Sequence, residues 1–345
     1  MAVHDLIMAA AGAGAGPQAI AIAHGSSIYI TAYPWSGSAF GTKYADPSTL
    51  PTGVGAWVAF NPSNSALAIA HLSSPYVTAY PFSESGFGTK YANPSTLPAG
   101  SGRAVAFSPN GSSLAVAHDT SPYVTAYPWS GSGFGTKYAD PSTLPAGTGR
   151  GVAFNPDGLS VAVAHDNSPY VSVYDWDVSG FGSKYANPST LPAGAGFIVQ
   201  FSPDGLNLAL VQSLTPYVNV YPWSGSGFGT RYTNPATLPA GGGRGVAFSP
   251  DGLSIAVAHA NSPYVTAYPW SGSGFGTKYT NPATLPAGDG RDVAFSPDGL
   301  SIAVAHNVSP YVTAYPWSGS GFGTKYANPT TLPAGPGNGV VFTNI

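Results

Sequence analysis

The chain has 345 residues, of which 45 are Gly, 34 are Pro and none is Cys, and only 7% carry charge. The absence of Cys excludes disulfides, thiolate metal sites and Cys nucleophiles. A net charge of -3 leaves no electrostatic footprint for nucleic acid or an anionic membrane, and no apolar run approaches the roughly 20 residues of a spanning helix.

Residues 1–16 read as an N-terminal arm. It lacks the basic start of a signal peptide. Asp5 is placed to cap one or two helical turns carrying Leu6, Ile7 and Met8, which become the residues by which a partner would hold the arm. From residue 17 to 345 the chain is one repeat. A Tyr-Pro-aromatic motif, Asp replacing Pro once, sets its Tyr at 33, 80, 127, 174, 221, 268 and 315, every 47 residues without insertion.

Ala19 to His24 is an apolar run that corresponds to the second strand of later units. A complete unit reads Gly245-Val-Ala-Phe-Ser-Pro-Asp-Gly252, Ile255 to His259, Tyr264 to Tyr268 and Phe275 to Tyr279, with a Pro-rich linker after it. Each run is rich in β-branched and aromatic residues and is bounded by Gly, Pro, Asn or Ser, which is the reading of a strand. Four short strands per unit predict a blade. Val246 and Phe248 alternate with Ala247, and Ile255 and Val257 with Ala256 and Ala258. One face is large and the other small, so each sheet needs a neighbour on both sides. Pro269 lacks a ladder donor, which predicts that strand three ends near Tyr268. The chain ends on Gly339 to Ile345, which corresponds to strand one. Residues 339–343 are therefore expected to pair with residues 19–24 and close the ring. The fold class is all-β: a seven-bladed β-propeller of four-stranded blades over residues 17–345.

The Val-Ala-Phe-Ser-Pro-Asp-Gly run resembles the WD40 and YVTN classes of propeller, and Ser-Pro-Tyr-Val-Thr-Ala-Tyr looks like the YVTN repeat. The unit Phe-Gly-Thr-Lys-Tyr-Ala-Asn-Pro-Ser-Thr-Leu-Pro-Ala-Gly is similar to tandem repeats in structural proteins of tailed bacteriophages. That resemblance implies a virion protein.

Three residue rings repeat with the unit. His24, His71, His118, His165, His259 and His306 end strand two, with Gln212 in the fourth copy. Their placement on different blades argues against a shared metal ion and for a repeated structural hydrogen bond near the blade surface. Lys43 and its six equivalents read as solvated edge charges. Trp35 and its equivalents read as packing, or else as platforms for sugar rings. Symmetry breaks just before strand one, where Arg103, Arg150, Arg244 and Arg291 alternate with Ala56, Phe197 and Asn338. With Asp119, Asp166, Asp289, Asp292, Trp57 and Phe197 they form the candidate binding face at the channel mouth, set against the reading that loops on that face simply vary. The Ser/Asn-Pro-Asp-Gly aspartates read as turn residues.

The resulting expectation is a non-enzymatic structural or decoration protein of a tailed phage, on the tail or the head. It would sit at the particle surface, be made in the host cytoplasm and bind other virion proteins through the arm. Its exposed face would meet a host-surface glycan or protein, with no cofactor, nucleic acid or membrane insertion. The rival is a free multivalent carbohydrate-binding lectin. A lactonase-like enzyme is disfavoured by the missing carboxylate and metal-ligand set.

Overall fold

The computed structural model describes residues 18–345; the arm, with Asp5, Leu6, Ile7 and Met8, lies outside the described residues. Seven antiparallel sheets stand around one axis. We number blades by chain order of their innermost strand: blades 1 to 6 begin at Gly55, Gly102, Gly149, Gly196, Gly243 and Gly290. Blade 2 shows the pattern, with Gly102–Phe107 innermost, then Ser113–His118, Val124–Ser130 and Gly133–Phe134. Blade 7 joins both ends of the repeat, with Gly337–Asn344 inside Gln18–His24 and Ile30–Trp35. The expected closure is the observed one: Ala19 pairs Thr343 and Ala23 pairs Gly339.

The core lies between blades. Ala66, Ala68 and Ala70 of blade 1 pack on Leu114, Val116, Val105 and Phe107 of blade 2. Ala115 and Ala117 repeat this against Val161 and Val163 of blade 3. The small face of each strand two thus meets the large face of the next, which fixes register and spacing together. Strand two of each blade is buried on both faces along its whole length, so it carries no solvent-facing side.

Three expected boundaries move. Strand three continues through its proline, as in Val77–Ser83, where Pro81 pairs Ala66. The Pro81 carbonyl accepts from Gly88 of the outermost segment at 2.8 Å. In an antiparallel strand the N and O of one residue point to the same side, so the missing N–H falls at the outer edge, where it breaks no inner ladder. Strand three also starts one residue late: Tyr264 lies in the preceding turn at φ +70° and Val265 opens the strand. Strand four is shorter than expected. It has two residues in blades 1, 2, 4 and 6, five in blade 3, and single bridges, Trp270 to Phe275 and Trp35 to Phe40, in blades 5 and 7.

Candidate functional site

Strands one line the axis, and each carries the same irregularity. Gly102 pairs His118 and Ala104 pairs Ala117, so Arg103 is an extra, unpaired residue. Such a bulge re-aims a side chain away from the sheet. It recurs at Ala56, Arg150, Phe197, Arg244, Arg291 and Asn338. The residue before it must be Gly: a Cβ on Gly102 would stand 2.2 Å from the Tyr76 carbonyl oxygen of the preceding blade. Blade-to-blade contact at the mouth therefore requires Gly beside each bulge, and the bulge presents the variable residues.

The four arginines do not share one environment. Arg103 pairs with Asp119 at 3.2 Å. Arg150 holds Asp166 with two nitrogens, the Nη2–Oδ2 bond being 2.9 Å, and lies 5.5 Å over the Phe197 ring. In both pairs the acid follows the arginine by 16 residues. At the same distance from Arg244 and Arg291 stand Ala260 and Asn307. Arg244 is exposed and makes no ion pair among the described residues. Arg291 is half-buried; its Nη1 donates to Asn338 Oδ1, while its buried Nε meets no acceptor. Burial first, then the neighbouring Arg244 charge, press the Arg291 guanidinium below its usual range, against the opposing pull of Asp289. Asn338 in turn donates to the Gly55 carbonyl at 2.8 Å, tying blades 6, 7 and 1 together at the mouth.

Asp292 turns away from the arginines. It is 3% exposed, wedged between inner strands, with Oδ2 accepting the Val340 amide at 2.9 Å. A Cβ on Gly245 would stand 2.8 Å from Oδ1. Burial raises its pKa to about 8 against the pull of the Val340 and Val293 amides, so the carboxyl is neutral at pH 7. Trp57 contacts the cores of blades 1 and 2, of 2 and 3, and of 4 and 5. A side chain reaches all three only by lying across the axis, so Trp57 floors the mouth and makes it a cup.

The ten residues expected at one site thus divide. Arg103, Arg150, Asp119, Asp166 and Phe197 form an ion-paired wall, in which the buried Arg103 Nε still meets no acceptor among the described residues. Arg244, Arg291 and Asp289 form a wall with two guanidiniums to one carboxylate and no ion pair within salt-bridge distance among the described residues, above the Trp57 floor. Asn338 and Asn307 were missed as site residues, although the Arg-to-Asp spacing of blades 2 and 3, absent in blades 5 and 6, carries the signal. A cavity of about 460 Å3 lined by Gln18, Trp35, Phe40, Tyr44 and Glu84 lies on the opposite face and contains none of these residues.

The repeated rings have structural explanations. His118 Nε2 lies 2.9 Å from Thr125 Oγ1 and the other five histidines make the same contact, with Ser172 in place of Thr in blade 3. They are fully buried rather than near the surface, and burial lowers each pKa to about 4. Gln212 fills the fourth place by accepting from Ala193 N and donating to Leu214 O, both at 2.9 Å. No group of three metal-ligating side chains converges among the described residues. The Trp ring is buried at edge-to-face contacts, as where Trp129 meets Tyr91 at 5.2 Å and Phe134 at 5.1 Å. It offers no open platform for sugars. Each lysine on the outer edge sits beside an Asp or Asn three residues on, as in Lys137–Asp140.

No protein-family model matches this sequence, and no curated protein matches it. Solved structures do match in fold. A candidate 6-phosphogluconolactonase from Bacteroides fragilis superposes with a TM-score of 0.76 at 13% identity, covering 95% of this chain and 98% of that one. The periplasmic gluconolactonase of Pseudomonas aeruginosa gives 0.75 at 18% identity, covering 94% and 99%. A Lactobacillus plantarum protein gives 0.74 at 16% identity, covering 95% and 99%. At such identity the likeness is one of fold: the chain is a seven-bladed β-propeller. Two of these three carry lactonase names and none is described as a virion, phage or WD40 protein. The expectation of a non-enzymatic virion protein, with a lectin as its rival, is corrected accordingly.

Proposed function

We propose that the chain is a hydrolase of a small lactone bearing an anionic group, acting in the cup over blades 5, 6 and 7. The observation that carries this is the loss of the acid partner at Ala260 and Asn307, which leaves the neighbouring Arg244 and Arg291 without an ion pair among the described residues and with one carboxylate, Asp289, near two guanidiniums. A phosphate or carboxylate on the ligand supplies the missing charge, and a guanidinium fork suits its geometry. The Trp57 face gives a flat apolar floor for the ring.

In this reading Asp289, beside Arg291, takes a proton from water as the water oxygen attacks the lactone carbonyl. Arg291 donates to the oxygen that gains charge through Nη2, the terminal nitrogen that does not serve Asn338. The carbonyl–ring oxygen bond then breaks and the departing alkoxide recovers the proton, giving the hydroxy acid. The lactonase names of the fold neighbours support the reaction class; the residue roles rest on this chain's own geometry.

The test is acid release at constant pH from 6-phosphogluconolactone and from its unphosphorylated counterpart. Hydrolysis above the spontaneous rate, faster for the phosphorylated compound, is expected. Arg244→Asn and Arg291→Asn, which copy Asn338, are each expected to lower kcat/KM at least about tenfold, or 1.4 kcal/mol. Spontaneous-rate release with both lactones overturns the proposal.

A further inference from the structure

The face opposite the cup breaks symmetry in its own way. It is built from the turns joining strands one to two and three to four. In blades 3 to 6 the first turn reads Pro-Asp-Gly-Leu, and Leu159, Leu206, Leu253 and Leu300 are 60–63% exposed. In blades 1 and 2 the same position holds Ser65 and Ser112. Four adjacent blades thus set a leucine at the same point of the same turn, and together they trace one apolar arc. Val178, 88% exposed, extends it, because Trp176 N donates to Leu159 O and brings the two turns of blade 3 together.

Each leucine is held up by an acid. Asp157, Asp204, Asp251 and Asp298 accept the amide of their Leu on Oδ1 at 2.8–3.0 Å. In Asp157, Asp204 and Asp251 the second oxygen takes no hydrogen bond among the described residues and is left toward solvent. Asp175 and Asp177 add to the same side, whereas no Lys or Arg stands in any turn of this face. The arginines are all at the cup or on the outer edge. Apolar and acidic groups therefore alternate along the arc with no compensating cation.

We infer that this arc docks a basic amphipathic segment of another protein, with its apolar side chains on the leucines and its Lys or Arg on the aspartates. Exposed apolar side chains gathered on one face mark interaction sites. Charge selects the occupant. A second copy of this face would bring carboxylates against carboxylates, and an anionic lipid surface would be repelled. A basic segment satisfies both parts of the pattern, in the manner of an amphipathic helix laid on an apolar strip.

The probe is a labelled amphipathic Leu–Lys peptide of about 14 residues, read by fluorescence anisotropy against the full chain, with a Leu–Glu peptide of identical pattern as control. Binding of the Leu–Lys peptide alone is expected, weakening as salt rises. The variant L159S/L206S/L253S/L300S copies Ser65 and Ser112 and leaves net charge unchanged. It is expected to bind at least tenfold more weakly. D157N/D204N/D251N copies Asn110 and is expected to lose most of the salt dependence. L253S/L300S, which touches only two turns, is expected to give an intermediate loss. Superposed thermal melts confirm that each variant folds. Absence of binding by the native chain, or equal binding by the four-Ser variant or of the Leu–Glu peptide, overturns the inference. Self-association of the native chain that the four-Ser variant lacks assigns the arc to a second copy, and sedimentation with phosphatidylcholine vesicles assigns it to lipid. Either result also overturns it.

Discussion

Asp292 accepts the Val340 amide hydrogen at 2.9 Å in the seam between blades 6 and 7, at a position where the other blades carry Trp57, Ala104, Gly151, Ile198, Gly245 and Gly339. Its pKa, raised to about 8, stands above an unfolded value of about 3.9. The fold therefore holds a proton that the unfolded chain has already lost. The contribution is complete below about pH 4, declines as pH rises, and is gone above about pH 8. Asp292→Asn keeps an acceptor for Val340 without the ionisation. It is expected to raise the melting temperature at pH 8 by more than at pH 5, with an upper bound on the order of 1.4 kcal/mol per pKa unit removed. Equal shifts at the two pH values would count against this account.

The six buried histidines act in the opposite sense. Their pKa values fall from 6.5 to about 4 by burial, so the unfolded chain binds protons that the fold refuses. Stability is complete above about pH 6.5 and is lost on acidification toward pH 4, by up to about 1.4 kcal/mol per pH unit for each histidine. Six such groups outweigh Asp292 in that window, so the melting temperature is expected to peak near pH 6.5 to 7. His259→Gln, which copies Gln212, is expected to flatten the acid limb by about one sixth, measured as melting temperature between pH 4.5 and 6.5.

Asn307→Asp restores the acid that blades 2 and 3 place 16 residues after their arginines. It is expected to pair with Arg291, as Asp166 pairs with Arg150. Binding of inorganic phosphate, followed by calorimetry, is expected to weaken severalfold, with stability changed by no more than about 1 kcal/mol for a partly exposed pair. Unaltered phosphate binding would remove Arg291 from the anion site.

Trp57→Ala takes away the floor of the cup. Trp57 is only partly buried, so the cost is expected to lie below the 3–5 kcal/mol of a full core truncation, at about 2 kcal/mol. The variant is expected to stay folded and to open the axis to small solutes, read as faster acrylamide quenching of the remaining indoles. Quenching identical to the native chain would place Trp57 off the axis.

Hydrogen exchange by blade gives a further measurement. Blade 4 carries Gln200 and Gln212 where other copies carry Ala or Val and His. Gln212 is nonetheless fully buried and satisfied on both amide atoms. Its strand two is expected to exchange fastest among the seven, by a modest factor, because the site forgoes the His–Thr contact.

Sequence periodicity by itself determined the number of blades, the alternation of small and large strand faces, and the joining of residues 19–24 to 339–343. These are local or additive properties: each strand's pattern is written in its own residues, and each blade meets only its neighbours. The composition of the mouth was legible too, since Arg103, Arg150, Arg244 and Arg291 break the repeat visibly. What only the tertiary structure decided was how those groups divide. Whether an arginine is neutralised depends on a residue from the next strand over. Whether an aspartate is charged depends on burial between blades, which separates the adjacent residues Arg291 and Asp292 into opposite environments. The bulge that aims the arginines sits beside a Gly that packs against the Tyr carbonyl of the preceding blade, with no room for a Cβ. That contact exists only once two neighbouring blades are packed together, so the pattern of one strand alone does not show it.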